Sequence, residues 1–217
     1  MNRFLRDSSV LDIFGGPTKQ KYAVLDHSKT VDMHIALAEK IDESGFRPDI
    51  VIGIIRWGNR VANFLSDRYG EIPVYSIHAK SYRGLNVRGE VEVRQGLEGI
   101  KLEGEKILVA DDIGDYGTTF SVVKKIVEKA NPEIVKTACL VIKDWTVPIP
   151  DFWVDKTDRW VLFSDKPYEN CRHLLGNCPH GLSLDEAKTV IISELIYPEQ
   201  IVQEVLEEVS KSQRVEN

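Results

Sequence analysis

From Ile107 to Ala110 the chain runs apolar, then places two carboxylates side by side, Asp111 and Asp112. A turn with Gly114 and Gly117 follows, and Thr118 and Thr119 stand at the head of a helical pattern. A helix N-terminus offers unbonded N–H groups and the positive end of a dipole, which suits phosphate. Glycine lets the backbone approach the anion closely, and the threonines add hydroxyl donors. The acids would repel a phosphate, so they must face another part of the ligand. Vicinal ribose hydroxyls bridged by Mg²⁺ meet that requirement. The combination implies a sugar phosphate, held at a strand's C-terminal end, where open α/β sheets bind ligands.

Two other phosphate motifs are excluded. A P-loop needs Lys after its second Gly, where this chain has Thr118, and no Gly-x-Gly-x-x-Gly fingerprint occurs. The plain alternative is a turn with an acidic helix cap, because Asp and Gly are common in turns. Both acids, both glycines and both threonines in order favour the ligand.

A second cluster has metal-ligand composition: Cys171, His173, Cys178 and His180. Zn²⁺ sites use such residues, but this order matches no familiar finger, and an ordinary loop is the simpler expectation.

These residues need elements to hold them. Residues 1–29 have no strong period and break at Gly15, Gly16 and Pro17; a short flap or edge fits them. Val31, Ile35, Ala38 and Ile41 predict a helix to Ser44, with Gly45 as its stop. Asp49 to Ile55 predicts a strand buried on both faces. Asn59–Tyr69 reads as a helix and Val74–His78 as a strand, which makes a βαβ unit. Residues 80–105 form a long, glycine-punctuated connection, and the alternation from Glu90 to Arg94 predicts a hairpin arm in it. A strand from Lys106 to Ala110 leads into the acids and the turn, and a helix over Thr118–Ala130 has Val122, Val123, Ile126, Val127 and Ala130 inward. Ile134–Ile142 is a fourth strand, and Phe152–Val154 and Trp160–Phe163 are short apolar pieces. Ser183 to Glu186 fits a capping box for a helix to Leu195. Pro198 opens a last helix to about Lys211, and Ser212–Asn217 is expected to fray.

The 217 residues suit one domain with a small appended piece. A net charge of −6 disfavours nucleic acid as the main ligand. No apolar run reaches the ~18 residues of a membrane span, Met1–Asp12 has no apolar signal core, and three cysteines are too few for a disulfide framework. A cytoplasmic protein is the default expectation.

The stretch from Ile107 to Phe120 resembles the signature for 5-phosphoribosyl 1-pyrophosphate (PRPP) in type I phosphoribosyltransferases. The stretch from Asn131 to Lys143 is similar to the 6-oxopurine branch of that family, which handles hypoxanthine, guanine and xanthine. The resemblance covers about Asp49 to Asp165. It implies an α/β fold with a Rossmann-like parallel-sheet core and a small hood from the N- and C-terminal segments. The corresponding division is a flap over 1–30, a core over 31–165 and a helical appendage over 166–217.

By this resemblance Asp111 and Asp112 hold the ribose hydroxyls and Mg²⁺. Asp115, Tyr116, Gly117, Thr118 and Thr119 hold the 5′-phosphate, and Asp115 is the general base near the purine N7. The segment from Gly53 to Gly58 occupies the pyrophosphate-loop position, with Arg56, Trp57 and Gly58 against the leaving group; Arg56 can fork onto phosphate oxygens. Lys80, Ser81 and Tyr82 resemble the start of the mobile catalytic loop, with Lys80 on pyrophosphate. Lys143 donates to the exocyclic oxygen at purine position 6, which would reject adenine. Trp160 stacks on the base, and Val161 offers backbone groups to its edge. Asp165 helps hold a second Mg²⁺, with Glu169 as the fallback. Two positions depart from the family pattern: Trp57 stands where a small residue is usual, and Tyr116 where Thr is usual.

The implied partners are PRPP, a purine base and the nucleoside 5′-monophosphate product, with no nucleic acid or membrane, in a homodimer or homotetramer. Two alternatives stay open: a non-catalytic PRPP- or nucleotide-sensing regulator, and a phosphoribosyltransferase for adenine or a pyrimidine.

Overall fold

The computed structural model describes residues 10–11, 22–84, 87–178, 182–195 and 197–215. Gly15, Gly16, Pro17 and His180 lie outside them. The element order is β1 (Val10–Leu11), β2 (Tyr22–Leu25), α1 (His27–Glu43), β3 (Ile50–Ile54), α2 (Gly58–Arg68), β4 (Val74–Gly84), β5 (Val87–Gln95) and β6 (Lys106–Gly114). It continues with α3 (Thr118–Glu128), β7 (Ile134–Lys143), β8 (Phe152–Thr157), β9 (Trp160–Phe163), α4 (Pro167–Gly176), α5 (Leu184–Leu195) and α6 (Glu199–Val215). The fold is α/β. Contacts divide the chain into two units, one built on Val31–Asp158 and the other on Arg159–Asn217 with part of the N-terminal segment.

The first unit is a six-stranded sheet in the order β5-β4-β3-β6-β7-β8. All its neighbours run parallel except β4 and β5. Parallel neighbours need crossovers, and α2 and α3 supply two of them. Every residue of β3 is buried, as a strand covered on both faces must be. One face packs Ile52, Ile54, Ile77, Ile107 and Val109 with Phe120, Val123 and Val127 of α3. Each such side chain contributes roughly 1.5–3 kcal/mol on burial. β7 reaches β8 without a helix, through residues 144–151, and this bare crossover lies beside the loop after β6.

The second unit holds a three-stranded sheet in the order β1-β2-β9, with β2 and β9 parallel. Its core joins Tyr22 and Leu162 to Cys171, Leu174 and Leu175 of α4, Ala187 and Ile191 of α5, and Val202 and Val205 of α6. Asn170 Nδ2 donates to Phe163 O at 2.8 Å and to Tyr197 Oη at 2.5 Å, so the buried amide ties α4 to both flanks.

Several elements differ from the sequence expectation. α1 starts a turn before Val31 because Asp26 caps it: Lys29 N–H donates to Asp26 Oδ1 at 2.8 Å. β4 extends past His78 to Gly84 because β5 pairs with it antiparallel. β6 runs past Ala110 to Gly114, since Asp111, Ile113 and Gly114 still pair with β7. Cys171 and His173, expected in an ordinary loop, lie on α4, with Pro167 in its first turn. α6 continues through Val215 instead of fraying from Ser212, whose Oγ donates to Glu208 O at 3.1 Å. The capping box is present: Ser183 N–H donates to Glu186 Oε2 at 2.8 Å and Glu186 N–H to Ser183 Oγ at 3.2 Å.

Candidate active site

β6 carries its acids to the C-terminal edge of the sheet. Ile107 to Ala110 are fully buried, while Asp111 and Asp112 are half-buried where the strand emerges. Asp111 Oδ1 accepts the Asp112 N–H at 2.9 Å, which fixes one carboxylate oxygen. The N-terminus of α2 presses on the same edge. A Cβ at Gly58 would strike Ala110 O and lie 3.0 Å from Asp111 Cα, so only glycine lets the two loops meet. Carboxylate pairs of this kind suit Mg²⁺, which takes one or two protein acids and fills its shell with water and substrate oxygens. Among the described residues no group of three or more His, Cys, Asp or Glu could hold a metal alone.

After Gly114 the chain turns through Asp115 and Tyr116 into Gly117, whose φ of 76° is left-handed. Gly117 opens α3 without a side-chain cap, and Ser121 N–H makes a first-turn bond to Gly117 O at 3.1 Å. The N–H groups of Thr118, Thr119 and Phe120 therefore have no acceptor within the helix. Tyr116 is 50% exposed, with its ring 6.3 Å from that of Trp145 at 40°.

The crossover after β7 braces this turn. Thr146 Oγ1 accepts the Lys143 N–H at 2.8 Å and lies 2.5 Å from Gly114 O and 2.6 Å from Asp115 O, so its single proton is shared. Val147 N–H donates to Tyr116 O at 3.3 Å. Trp145 Nε1–H donates to Asp115 Oδ1 at 2.9 Å. Sequence reasoning missed Trp145 and Thr146; the signal available was their position two and three residues after Lys143. Lys143 itself is buried at the end of β7, with Nζ 6.0 Å from the Trp145 ring centroid.

The segment between β3 and α2 turns at Ile55–Trp57, with Arg56 exposed and a cis peptide before it. Trp57 is half-buried and caps α2 through its backbone. Gly53 is closed over by Asn59, whose Nδ2 donates to Ser76 Oγ at 2.9 Å. Lys80, Ser81 and Tyr82 lie within β4, not in a loop; Lys80 pairs with Glu92 and Ser81 with Val91, and the register shifts between Ser81 and Arg83.

The first unit thus brings together Asp111, Asp112, the turn from Asp115 to Thr119, Gly58 and Lys143. Trp160, Val161, Asp165 and Glu169 belong to the second unit. Trp160 is half-buried on β9, and His173 stacks on it at 3.8 Å and 5°. One indole face is therefore occupied. Val161 is buried opposite Ala23. Asp165 is half-buried in the turn after β9, and Glu169 sits in the first turn of α4. Cys171 is wholly buried in the α4 core, and burial pushes its thiol up to about 11. Cys178 Sγ donates to Leu182 O at 3.6 Å.

Residues 22–170 match the family model described as phosphoribosyl transferase domain. The chain is 27% identical over 134 residues to human phosphoribosyltransferase domain-containing protein 1, covering 57% of this chain and 60% of that one. It is 33% identical over 84 residues to human hypoxanthine-guanine phosphoribosyltransferase, covering 39% and 38%. The chain therefore spans between about two fifths and three fifths of these relatives' lengths. A purine phosphoribosyltransferase structure from Pyrococcus horikoshii Ot3 superposes with a TM-score of 0.58 at 34% identity, over 65% of this chain and 92% of that one. A hypothetical protein from Neisseria gonorrhoeae with bound ppGpp gives 0.61 at 25% identity, over 82% and 99%. With the acid pair, the open helix end and the parallel sheet all in the matched region, the chain belongs to the phosphoribosyl transferase domain family.

Proposed function

We propose that the protein transfers the 5-phosphoribosyl group of PRPP to a 6-oxopurine, hypoxanthine, guanine or xanthine, releasing pyrophosphate and the nucleoside 5′-monophosphate. The observation that carries this reading is the β6–turn–α3 unit, where paired acids end a strand and uncapped amides open the next helix. Those amides, with Thr118 and Thr119, receive the 5′-phosphate. Asp111 and Asp112 face the ribose hydroxyls and would hold Mg²⁺, which when bound neutralises charge on the pyrophosphate side. Arg56 lies exposed at the pyrophosphate loop and takes the leaving anion. In the transfer the ribose C1–pyrophosphate bond breaks and a bond from C1 to a purine ring nitrogen forms. Asp115 accepts the proton that the purine gives up at N7. Lys143 donates to the exocyclic oxygen at position 6. Lys80, Ser81 and Tyr82, on the β4 arm, cover the leaving group. The test is product analysis: with PRPP, Mg²⁺ and each base in turn, nucleotide and pyrophosphate should appear one for one.

A second reading, a nucleotide-sensing module, is favoured by one observation: the neisserial protein, 25% identical, holds ppGpp. Tight binding of ppGpp or PRPP without turnover of any base would select it.

A further inference from the structure

We propose that Trp145 is the positioning residue of Asp115: its indole N–H fixes the carboxylate that receives the purine proton. The inference rests on the reading of Asp115 as proton acceptor. An indole nitrogen only donates, so the 2.9 Å contact from Trp145 Nε1 to Asp115 Oδ1 has one direction. Trp145 holds the acceptor and cannot compete for the proton. A donor bonded to an ionised carboxylate is among the stronger hydrogen bonds, and it also sets the direction of the second oxygen.

The bond is braced on both sides. Thr146 reaches Gly114 O and Asp115 O, and Val147 N–H reaches Tyr116 O. At the far end of the crossover, Asp151 Oδ2 accepts the Thr137 N–H and hydroxyl, each at 2.9 Å. The side chains meet on two segments already stitched together, so the bond costs little further ordering. Trp145 is 43% exposed, with the Tyr116 ring 6.3 Å from its own at 40°. Its ring also borders Lys143 Nζ at 6.0 Å, within range of a cation–π contact. One side chain thus bonds the acid and borders the ammonium assigned to the purine.

The test uses the full chain. Trp145→Phe should lower kcat about 10-fold with the KM for PRPP within about 2-fold, because misplacement of a reacting group lowers turnover more than binding. In an Asp115→Ala background the same substitution should cost less than about 2-fold more, since residues acting as a unit are not additive. Trp145→His keeps a ring N–H and should retain more of kcat than Trp145→Phe. Of the four indole N–H resonances, the one lost in Trp145→Phe should move in Asp115→Ala. An unchanged kcat in Trp145→Phe, equal losses for Phe and His, a full 10-fold loss in the Asp115→Ala background, or an unmoved resonance overturns the positioning role. A wild-type protein that turns over no base overturns the functional reading instead, and the positioning role falls with it.

Discussion

A Cβ at Gly117 would lie 2.5 Å from Pro148 O and 2.7 Å from Val147 C. The turn from Asp115 to Thr119 and the β7–β8 crossover therefore share a contact that only glycine permits. Its φ of 76° adds a second demand, since a left-handed non-glycine residue costs about 1–2 kcal/mol. Gly117→Ala should raise the KM for PRPP about 10-fold or more and lower Tm by several degrees. A KM and Tm matching wild type would show that the turn relaxes freely.

The role proposed for Asp115 is to accept the purine proton. Loss of a well-placed group that stabilises the transition state typically costs about 3 kcal/mol, so Asp115→Asn should lower kcat by ~10²-fold. Steady-state assays at saturating PRPP and base decide it. Near-normal turnover removes the base role and leaves Asp115 as a shaping residue of the turn.

Asp151 anchors the crossover and should make its hold pH-dependent. Burial pushes its carboxyl up, but Lys136 and Thr137 outweigh that and hold it below the ordinary value. A carboxyl lowered in the fold stabilises above its unfolded value and loses that contribution as pH falls through the folded one. The pair is partly exposed, with Lys136 at 34% and Asp151 at 24%, so the effect is modest. Asp151→Ala should cost ~1 kcal/mol near neutral pH, and the difference should shrink in acid. Urea unfolding near neutrality and in acid measures it; a difference that stays constant contradicts the account.

The thiols should be quiet in the native state. Burial pushes Cys139 well above its ordinary value and Cys171 up to about 11, and it raises half-buried Cys178 as well. Because the thiolate is the reactive form, a disulfide reagent at mildly alkaline pH should modify Cys178 slowly, and the other two only on unfolding. Rapid reaction of all three without denaturant would contradict the packing of β7 and α4.

The sheet was legible where the sequence pattern is local. Ile50 to Ile54 and Ile107 to Ala110 are continuous apolar runs, and a strand covered on both faces leaves that trace. The turn from Asp115 to Thr119 was legible because its chemistry is compressed into one segment. The alternation from Glu90 to Arg94 marked the arm, but its pairing with Lys80 and Ser81, which lengthens β4, is a contact between strands that neither announces alone. The pairing of Tyr22–Leu25 with Trp160–Phe163 joins segments far apart in the chain, and no local period encodes it. Cys171 and His173 drew attention as ligand types and hid the helix that carries them. Trp145 and Thr146 were missed for a geometric reason: their partners, Asp115 and Gly114, lie across a sheet crossover. What marks them is the close return of the chain from β7.

The most direct test of the central claim is pyrophosphate release from PRPP and Mg²⁺ with hypoxanthine, guanine, xanthine and adenine supplied separately. Release is expected with at least one 6-oxopurine, and little with adenine. Release with adenine alone, or with no base at all, would contradict it.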